Sequence, residues 1–550
     1  MSDTRQFGIN ITAFQPNQCL HTNNNKKEAF VTQPRYVLAI DNGTQSIRAL
    51  VFDEQGNEIA KSKVHLEAYF SKHPGWAEQE ADYYWRALGE ACQKLWAQGI
   101  VRPEQIQGVS LTTQRYTMIN LDADKKPLRP AIVWMDQRKA VPEKPLSGLW
   151  GFIIKIAGLT NLIEDLRAKA RDNWQAQNEP EIWAKTKHYV NLSGYLTYQL
   201  CGELKDSTGS IVGYVPYDYR QQKWAKKSDL KWKLLAADRS MMPELVRPGE
   251  LLGRITASAS AHTGLPEGLK MIAAASDKAC EVLGAGGSDP HIGCLSYGTT
   301  ATINTTTKKY SETIPFMPPY TAAIPGQYNS EMMVYRGFWM VSWFKNELAQ
   351  AEQRKAKELG VETEQLFDEL LNQVPAGSMG LMMQPYWSPG VRQPGPEGKG
   401  AFIGFGDVHK RAHIYRAILE GLAYELRSGK EAIEKRSGTK ITRLRVSGGG
   451  SQSDAAMQLT ADIFGMAAER PHTFEASGLG AAINCFVGLG IHPDYDVAVT
   501  KMTRLAEVFE PNQLRVDLYN RLYKEVYKKM YKRMQPLYRS IQDITGYPKK

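Results

Sequence analysis

Two stretches of this 550-residue chain follow one plan. At 36–52 the apolar run YVLAI leads into the polar turn DNGTQS, and IRALVF returns. At 293–307, GCLSYGTTATINTTT again has an apolar approach, a Gly-Thr-Thr turn and β-branched alternation. Asn-Gly between apolar runs is a strong hairpin signal. The two hairpins stand about 255 residues apart, far too long for a solenoid repeat. They predict two similar domains, each opening on a glycine-threonine loop. The length agrees, because single hydrophobic cores stop growing near ~250–300 residues.

The segments around the hairpins alternate in type. DYYWRALGEACQKLWAQG at 82–99 has helical spacing, and IQGVSLTTQ at 106–114 and AIVWMD at 131–136 read as strands. EIWAKTKHYVNLSGYLTYQL at 181–200 reads as one long helix, and MIAAASD at 271–277 as a small-residue strand ending in an acid. Later, HIYRAILEGLAYELRSGKEAI at 413–433 reads as a long amphipathic helix. LRVSGGGSQSDAAMQLTADIFG at 444–465 reads as strand, glycine turn and helix. Alternation of this kind indicates an α/β architecture. The boundary is expected near Gly284–Pro290, a Gly- and Pro-bearing stretch.

An apolar share of 42% suits a globular chain, and no window approaches the roughly 20 apolar residues of a membrane helix. No secretory signal is read at the polar, Asn-rich N-terminus. Six scattered cysteines without a CxxC pair point to a reducing, cytoplasmic setting. The net charge of +10 is concentrated: residues 520–550 carry +7, leaving +3 on the rest. No basic footprint for nucleic acid spreads across the chain. In that C-terminal segment Tyr519, Tyr523, Tyr527 and Tyr531 recur every four residues, with Lys524, Lys528 and Lys532 one position later. This is the pattern of a helix packing tyrosines on the body and leaving lysines in water. A polyanion contact stays open as the alternative.

Glycine-threonine hairpins offer backbone N–H groups to phosphate oxygens. In the first loop Asp41 is placed to hold a metal-bound water, and Gly43 permits close approach of a phosphate. Asn42 shares that loop; Thr44, Gln45 and Ser46 supply donors, and Arg48 a planar cation. Gly298, Thr299 and Thr300 repeat the donor-rich turn. Gly448, Gly449 and Gly450, between strand and helix, suit a backbone lying against a flat ligand such as a nucleotide. A plain turn capped by Ser451 or Asp454 is the alternative, with Ser453 in the same segment. Asp277, ending an apolar strand, is the candidate base, since ligands in open α/β sheets gather at strand C-termini. Helix capping is its alternative. Gln114, Arg115, Trp134, Asp136 and Arg138 could hold a hydroxyl-rich substrate. Competing chemistries lack support: there is no GxxxxGK[ST] or GxSxG, and His409 and His413 lack a metalloprotease glutamate. GLGAA at 478–482 reads as close helix packing.

These segments together resemble the FGGY family of carbohydrate kinases, within the actin-like and sugar-kinase ATPase superfamily. The resemblance runs from about Tyr36 to about Tyr538. DNGTQSIRALVFD and SYGTT are similar to the two phosphate motifs, HPGWAEQEADYYW to a proline-glycine-tryptophan segment, and VSGGGSQSDAAMQLTADIFG to the adenosine motif. GAFIGFGDVHKRAHIYRAILE fits the C-terminal pattern, apart from Phe405. Near 168–183 the usual lysine-apolar-x-tryptophan run is not clean.

The resemblance implies two ribonuclease-H-like (actin-like ATPase) domains flanking a deep catalytic cleft. The expected divisions are a polar extension at 1–34, a substrate domain at 35–286, a nucleotide domain at 287–538 and a basic tail at 539–550. It implies ATP and Mg2+, with Asp277 as general base and Asp41 as the metal-linked acid. Thr44, Arg48, Thr299 and Gly449 match phosphate and nucleotide contacts. Gln114-Arg115 is similar to the pair in glycerol kinases, but Tyr116 replaces the glutamate expected next. WMDQR resembles a segment of ketose kinases, and Lys278 after the base, unusual in both groups, is expected with Asp277 among the substrate contacts, where a cation would change the hydrogen bonding or suit an acidic sugar. The expected activity is phosphorylation of a ketose such as a pentulose. The alternatives are a glycerol or other polyol kinase, or a non-catalytic nucleotide or sugar sensor. The expected partner is a small sugar or polyol, with no nucleic acid and no membrane; a homodimer stays open.

Overall fold

The computed structural model describes residues 35–141, 146, 148–390 and 394–547, with backbone alone at 149. The polar extension at 1–34, Cys19 and the last three residues of the expected tail lie outside the described residues.

Apolar residues fill β1 (Tyr36–Asn42), which pairs with β2 (Ser46–Asp53), itself followed by β3 (Glu58–His65). Val37 and Ala39 turn to one face and Leu38 and Ile40 to the other, and all four are fully buried. A strand buried on both faces needs helices on both sides. On one side lie α1 (Ala81–Trp96), α3 (Leu192–Cys201) and α4 (Ala257–Thr263), contributing Tyr84, Leu88, Tyr195 and Ala259. A two-turn helix, α2 (Thr160–Lys169), stands in the excursion before α3. The sheet is completed by β4 (Ile106–Thr113), β5 (Leu251–Arg254) and β6 (Lys270–Ala273), which is followed by α5 (Asp277–Gly284). Its strand order is β5-β6-β4-β1-β2-β3.

The second half builds the same sheet again. Its strands are β7 (Ile292–Tyr297), β8 (Ala301–Thr307), β9 (Tyr320–Thr321), β10 (Tyr328–Val334), β11 (Arg443–Ser447), β12 (Ala468–Pro471) and β13 (Leu505–Phe509). Among the described residues the order is β9-β10-β8-β7-β11-β12-β13. In each half a hairpin meets its third strand antiparallel, and the first strand runs parallel to the fourth. The next strand is again parallel and the last antiparallel. This is the duplicated α/β arrangement that the two hairpins predict. Its helices include α6 (Trp339–Leu348), the 27-residue α7 (Arg411–Ser437), α8 (Asp454–Phe464), α9 (Ala476–Gly488) and α10 (Lys528–Thr545).

The helix α9 returns to the first sheet, where Leu479 and Ile483 pack with Val37, Ala39 and Leu283. It crosses α5 at glycines on both partners. A Cβ on Gly480 would collide with the Cys280 carbonyl, and one on Gly284 with the Ala476 carbonyl. Close packing is thus the role of GLGAA. The division expected at 286/287 falls between α5 and β7, yet one core runs across it.

Three local expectations differ. Residues 181–200 are not one helix: Pro180–Lys185 and α3 flank a strand, His188–Asn191, that pairs with Met118–Leu121. Tyr189 and Val190 are buried in that pairing, which outweighs helical spacing. Only Ala131–Ile132 of AIVWMD is strand, because Asp136 N–H donates back to the Val133 carbonyl in a turn. Helix α10 runs through 538 and 539, so no separate tail begins there. The tyrosine stripe is buried at Tyr519, Tyr523, Tyr527 and Tyr531, with Lys524, Lys528 and Lys532 exposed.

Candidate active site

Three parallel strands of the first sheet, β1, β4 and β6, end side by side. At their ends sit buried polar atoms with no protein partner: both amide atoms of Asn42, Oε1 of Gln114 and the hydroxyl of Ser276. Leaving such groups unpaired costs about 1–3 kcal/mol each. Orphans clustered at strand C-termini mark the place where a ligand binds.

Asp41 and Arg48 face one another across the first hairpin, and Arg48 Nη1 donates to Asp41 Oδ2 at 3.0 Å. Burial pushes the Asp41 carboxyl up to about 6, against the pull of Arg48 and with the help of Asp277 and Glu475. Glu475 also reaches Arg48 at 3.4 Å and was not singled out from the sequence. Its signal there was slight, an acid just before the small-residue helix. Gly43 closes the turn by donating to the Ser46 carbonyl at 3.0 Å, leaving Gln45 exposed. Trp134 Nε1 donates to Thr44 Oγ1 at 2.9 Å, so Trp134 braces the first hairpin loop.

Asp277 is the first residue of α5, four residues beyond the end of its strand. Its Oδ1 accepts the Lys278 backbone N–H at 2.7 Å. Burial raises its pKa, against the nearby Arg115 and Lys278 cations. Lys278 itself turns away from the first sheet. Its Nζ donates to Glu281 Oε2 and Ser296 Oγ, both at 2.7 Å, while Ser447 Oγ donates to Glu281 Oε1 at 2.7 Å. Ser296 lies two residues before Gly298, and Ser447 directly before Gly448. One buried polar network therefore links the candidate base to the second hairpin and the glycine turn. Burial works against the Lys278 ammonium, but Glu281 and Asp277 outweigh it and hold its pKa above the ordinary value.

The second loop is held by α6, where Phe338 N–H donates to the Gly298 carbonyl at 3.0 Å and Trp339 N–H to that of Thr299 at 3.4 Å. Thr299 itself is exposed. The three glycines differ in their reasons. Gly448 has φ +85 and lies against the Tyr297 backbone, and a Cβ on Gly450 would collide with the Phe338 ring. A Cβ on Gly449 would meet nothing within 4 Å. Its face is open to a ligand. Ser453, rather than Ser451 or Asp454, caps α8: its Oγ accepts Ala456 N–H at 3.0 Å and donates to Asp368. That hydroxyl is thereby committed within the protein.

One substrate expectation changes at Asp136. The Asp136 side chain is fully enclosed. It accepts from Ala77 N–H at 2.7 Å and from Arg138 Nη2 at 2.7 Å. The Arg138 guanidinium lies against the rings of Trp76 and Trp174, at 3.9 and 4.6 Å from their centres. Enclosed and bonded in this way, Asp136 supports the scaffold rather than presenting its carboxylate to a ligand. Arg115, by contrast, leaves the end of β4 and donates to Glu331 on β10 at 3.2 Å, over the Tyr320 ring. Gln114 Nε2 donates to the Tyr84 hydroxyl at 3.2 Å. Glu331 was not legible beforehand, because its pairing with Arg115 spans 216 residues.

The arrangement thus joins a half-buried acid, two glycine-threonine loops and an open glycine turn. Residues 36–284 match the N-terminal domain of the FGGY family of carbohydrate kinases, and residues 293–489 match its C-terminal domain. The sugar kinase YgcE of Escherichia coli K12 is 30% identical, over 88% of this chain and 92% of that one. A xylulose kinase of Lactococcus lactis is 27% identical, over 88% and 95%. The crystal structure of xylulose kinase from Rhodospirillum rubrum superposes with a TM-score of 0.77 at 24% identity, covering 92% of this chain and all of that one.

Proposed function

Since the chain belongs to the FGGY family of carbohydrate kinases and phosphorylates a small carbohydrate with ATP, we propose that its acceptor is a ketose of the pentulose type. The observation that carries the reading is the single network from Asp277 through Lys278 and Glu281 to Ser296 and Ser447. Its support for the reading is that an acid with a raised pKa adjoins the lysine whose contacts reach, through Ser296 and Glu281, the strands leading into Gly298 and Gly448. The xylulose kinase relative supports a ketose acceptor.

In the proposed reaction, Asp277 accepts the proton of the acceptor hydroxyl as that oxygen bonds to the γ-phosphorus. The bond from the γ-phosphorus to the bridging oxygen breaks, and ADP leaves. Backbone N–H groups around Gly43, Thr44, Gly298 and Thr299 hold the phosphates, and Arg48 adds charge. Gly448 and Gly449 lie along the adenosine. The Asp41 carboxylate and the orphaned Asn42 amide suit an ion bound together with nucleotide phosphates. Mg2+ held there would neutralise phosphate charge. Gln114 and Arg115 orient the acceptor. A cytoplasmic setting accords with the free, buried thiols of Cys92, Cys201, Cys280, Cys294 and Cys485.

An ADP-release panel across xylulose, ribulose, glycerol and sugar acids tests this reading. Turnover of a pentulose at about 1–100 per second, with glycerol far slower, is the expected result. Preference for glycerol would overturn the ketose assignment.

A further inference from the structure

Beside the Arg115–Glu331 pair lies a cavity of about 440 Å3. It is walled by the excursions of the first half, around 162–166 and 212–219, and by residues 313–331 of the second. Ligand pockets for drug-sized molecules run ~300–1,000 Å3, so the space exceeds the needs of a free five-carbon sugar. Arg115 is the shared wall. It lines the cavity and is also the nearby cation that draws down the Asp277 pKa.

The walls are mainly carbon surface. Tyr217, Tyr219, Leu166, Leu235, Met317 and Pro319 all contribute. Among the polar groups on the walls, the hydroxyls of Tyr217, Tyr219 and Tyr320 are engaged within the protein, while Asn329 Nδ2 is buried without a partner. Tyr217 Oη reaches the Thr208 carbonyl and Thr321 Oγ1, both at 3.3 Å. Tyr219 Oη accepts Gly213 N–H at 3.0 Å and donates to the Gly213 carbonyl at 3.2 Å. Tyr320 Oη donates to Asn304 at 2.8 Å. The charges lining the space are also paired, Asp165 with Lys169 at 2.7 Å and Lys231 with Asp229 at 3.6 Å. A hydroxyl-rich ring placed there would lose its hydrogen bonds to water and find few in return. A flat apolar group would lose nothing and gain burial against aromatic faces.

We propose that this cavity is the far half of the acceptor site, and that the preferred acceptor is a ketose or polyol bearing an apolar, planar substituent. The hydroxyl-rich end lies at Asp277 and Gln114, and the substituent passes Arg115 into the cavity. The proposal rests on reading the cleft as the acceptor site.

The test compares the benzyl and methyl ethers of xylulose at O1, and the same ethers of glycerol, by calorimetric binding and by ADP release. In each pair the benzyl ether is expected to bind roughly tenfold or more tightly, from burial of the ring. Met317 is 42% exposed, so Met317→Asp is compatible with folding, and it places a charge on the wall. It should bring the benzyl-to-methyl ratio to about one, while Met317→Leu keeps the preference. Equal binding of both ethers by the unaltered protein, or a benzyl preference that survives Met317→Asp, overturns the proposal. A benzyl preference in binding without phosphorylation of any xylulose or glycerol compound would uphold the cavity and overturn the acceptor reading instead.

Discussion

Arg115 and Glu331 form an ion pair of 3.2 Å between the end of β4 and the middle of β10, so it joins the first half of the chain to the second. Both side chains are about 15% exposed. Removing one partner of a buried pair leaves an uncompensated charge and costs about 3–5 kcal/mol, whereas replacing both with apolar groups is often near neutral. Denaturant unfolding should therefore show E331A losing about 3 kcal/mol, with the double variant R115M/E331L recovering most of it. Steady-state kinetics of E331A should show KM for the acceptor rising roughly tenfold and KM for ATP changing less. Additive losses in the double variant would mean that the pair does not act as a unit.

Asp277 carries a cost in the fold, because burial raises its pKa. For an acid shifted upward, that cost is absent below the unfolded pKa and fully present above the folded one. Asp277→Asn keeps the backbone contact to Lys278 and removes the charge. Thermal unfolding near neutral pH should place D277N at or above the unaltered protein, with the difference fading as pH falls from the raised, folded pKa to the ordinary aspartate value. Sugar-dependent ADP release should drop by about 100-fold or more. For the unaltered protein, kcat/KM should fall as acid protonates Asp277, with a midpoint above the ordinary aspartate value. Substantial turnover by D277N would remove Asp277 from the role of base.

The glycine turn gives paired substitutions with opposite expectations. A Cβ at Gly449 meets open space, while one at Gly450 meets the Phe338 ring. If adenosine lies along this face, G449A should leave the unfolding temperature unchanged and raise KM for ATP about tenfold. G450A should lower the unfolding temperature, and F338A should relieve part of that loss by clearing the space. An unchanged KM for ATP in G449A would move the nucleotide off this turn.

Local signals were legible and distant ones were not. The hairpins at 36–53 and 292–307 announced themselves because turn and strands are contiguous, and the duplicated sheet follows from them. Asp277 could be found because an apolar run ends just before it. Glu331 and Glu475 act only through partners brought near by folding, Arg115 and Arg48. Asp136 was misread for the same reason. Its neighbour Arg138 was visible in the sequence, but the Ala77 N–H that completes its shell lies 59 residues earlier. Lys278 was expected to face substrate, and folding set Glu281 one helical turn along to claim it. Strand His188–Asn191 was hidden inside a helical pattern, because its existence depends on Met118–Leu121.

That claim on Lys278 makes the last prediction. Glu281 is buried, and burial alone would raise its pKa, but Lys278 outweighs burial and holds it below the ordinary value. Such an acid contributes stability above its unfolded pKa and loses it as pH falls through the lower, folded one. Lys278→Met would leave the Glu281 carboxylate with only the Ser447 and Ser296 hydroxyls beside it. The single variant should lose about 3 kcal/mol near neutral pH, and K278M/E281Q should regain most of that by removing the unpaired charge. The gap between K278M and the unaltered protein should narrow below the ordinary glutamate range, where both carboxyls protonate. Because Ser296 and Ser447 lead into Gly298 and Gly448, K278M should also raise KM for ATP more than KM for the acceptor. The reverse split would mean that Lys278 serves the acceptor, as its place beside Asp277 in the sequence suggests, and that its bonds to Glu281 and Ser296 give way when the acceptor binds.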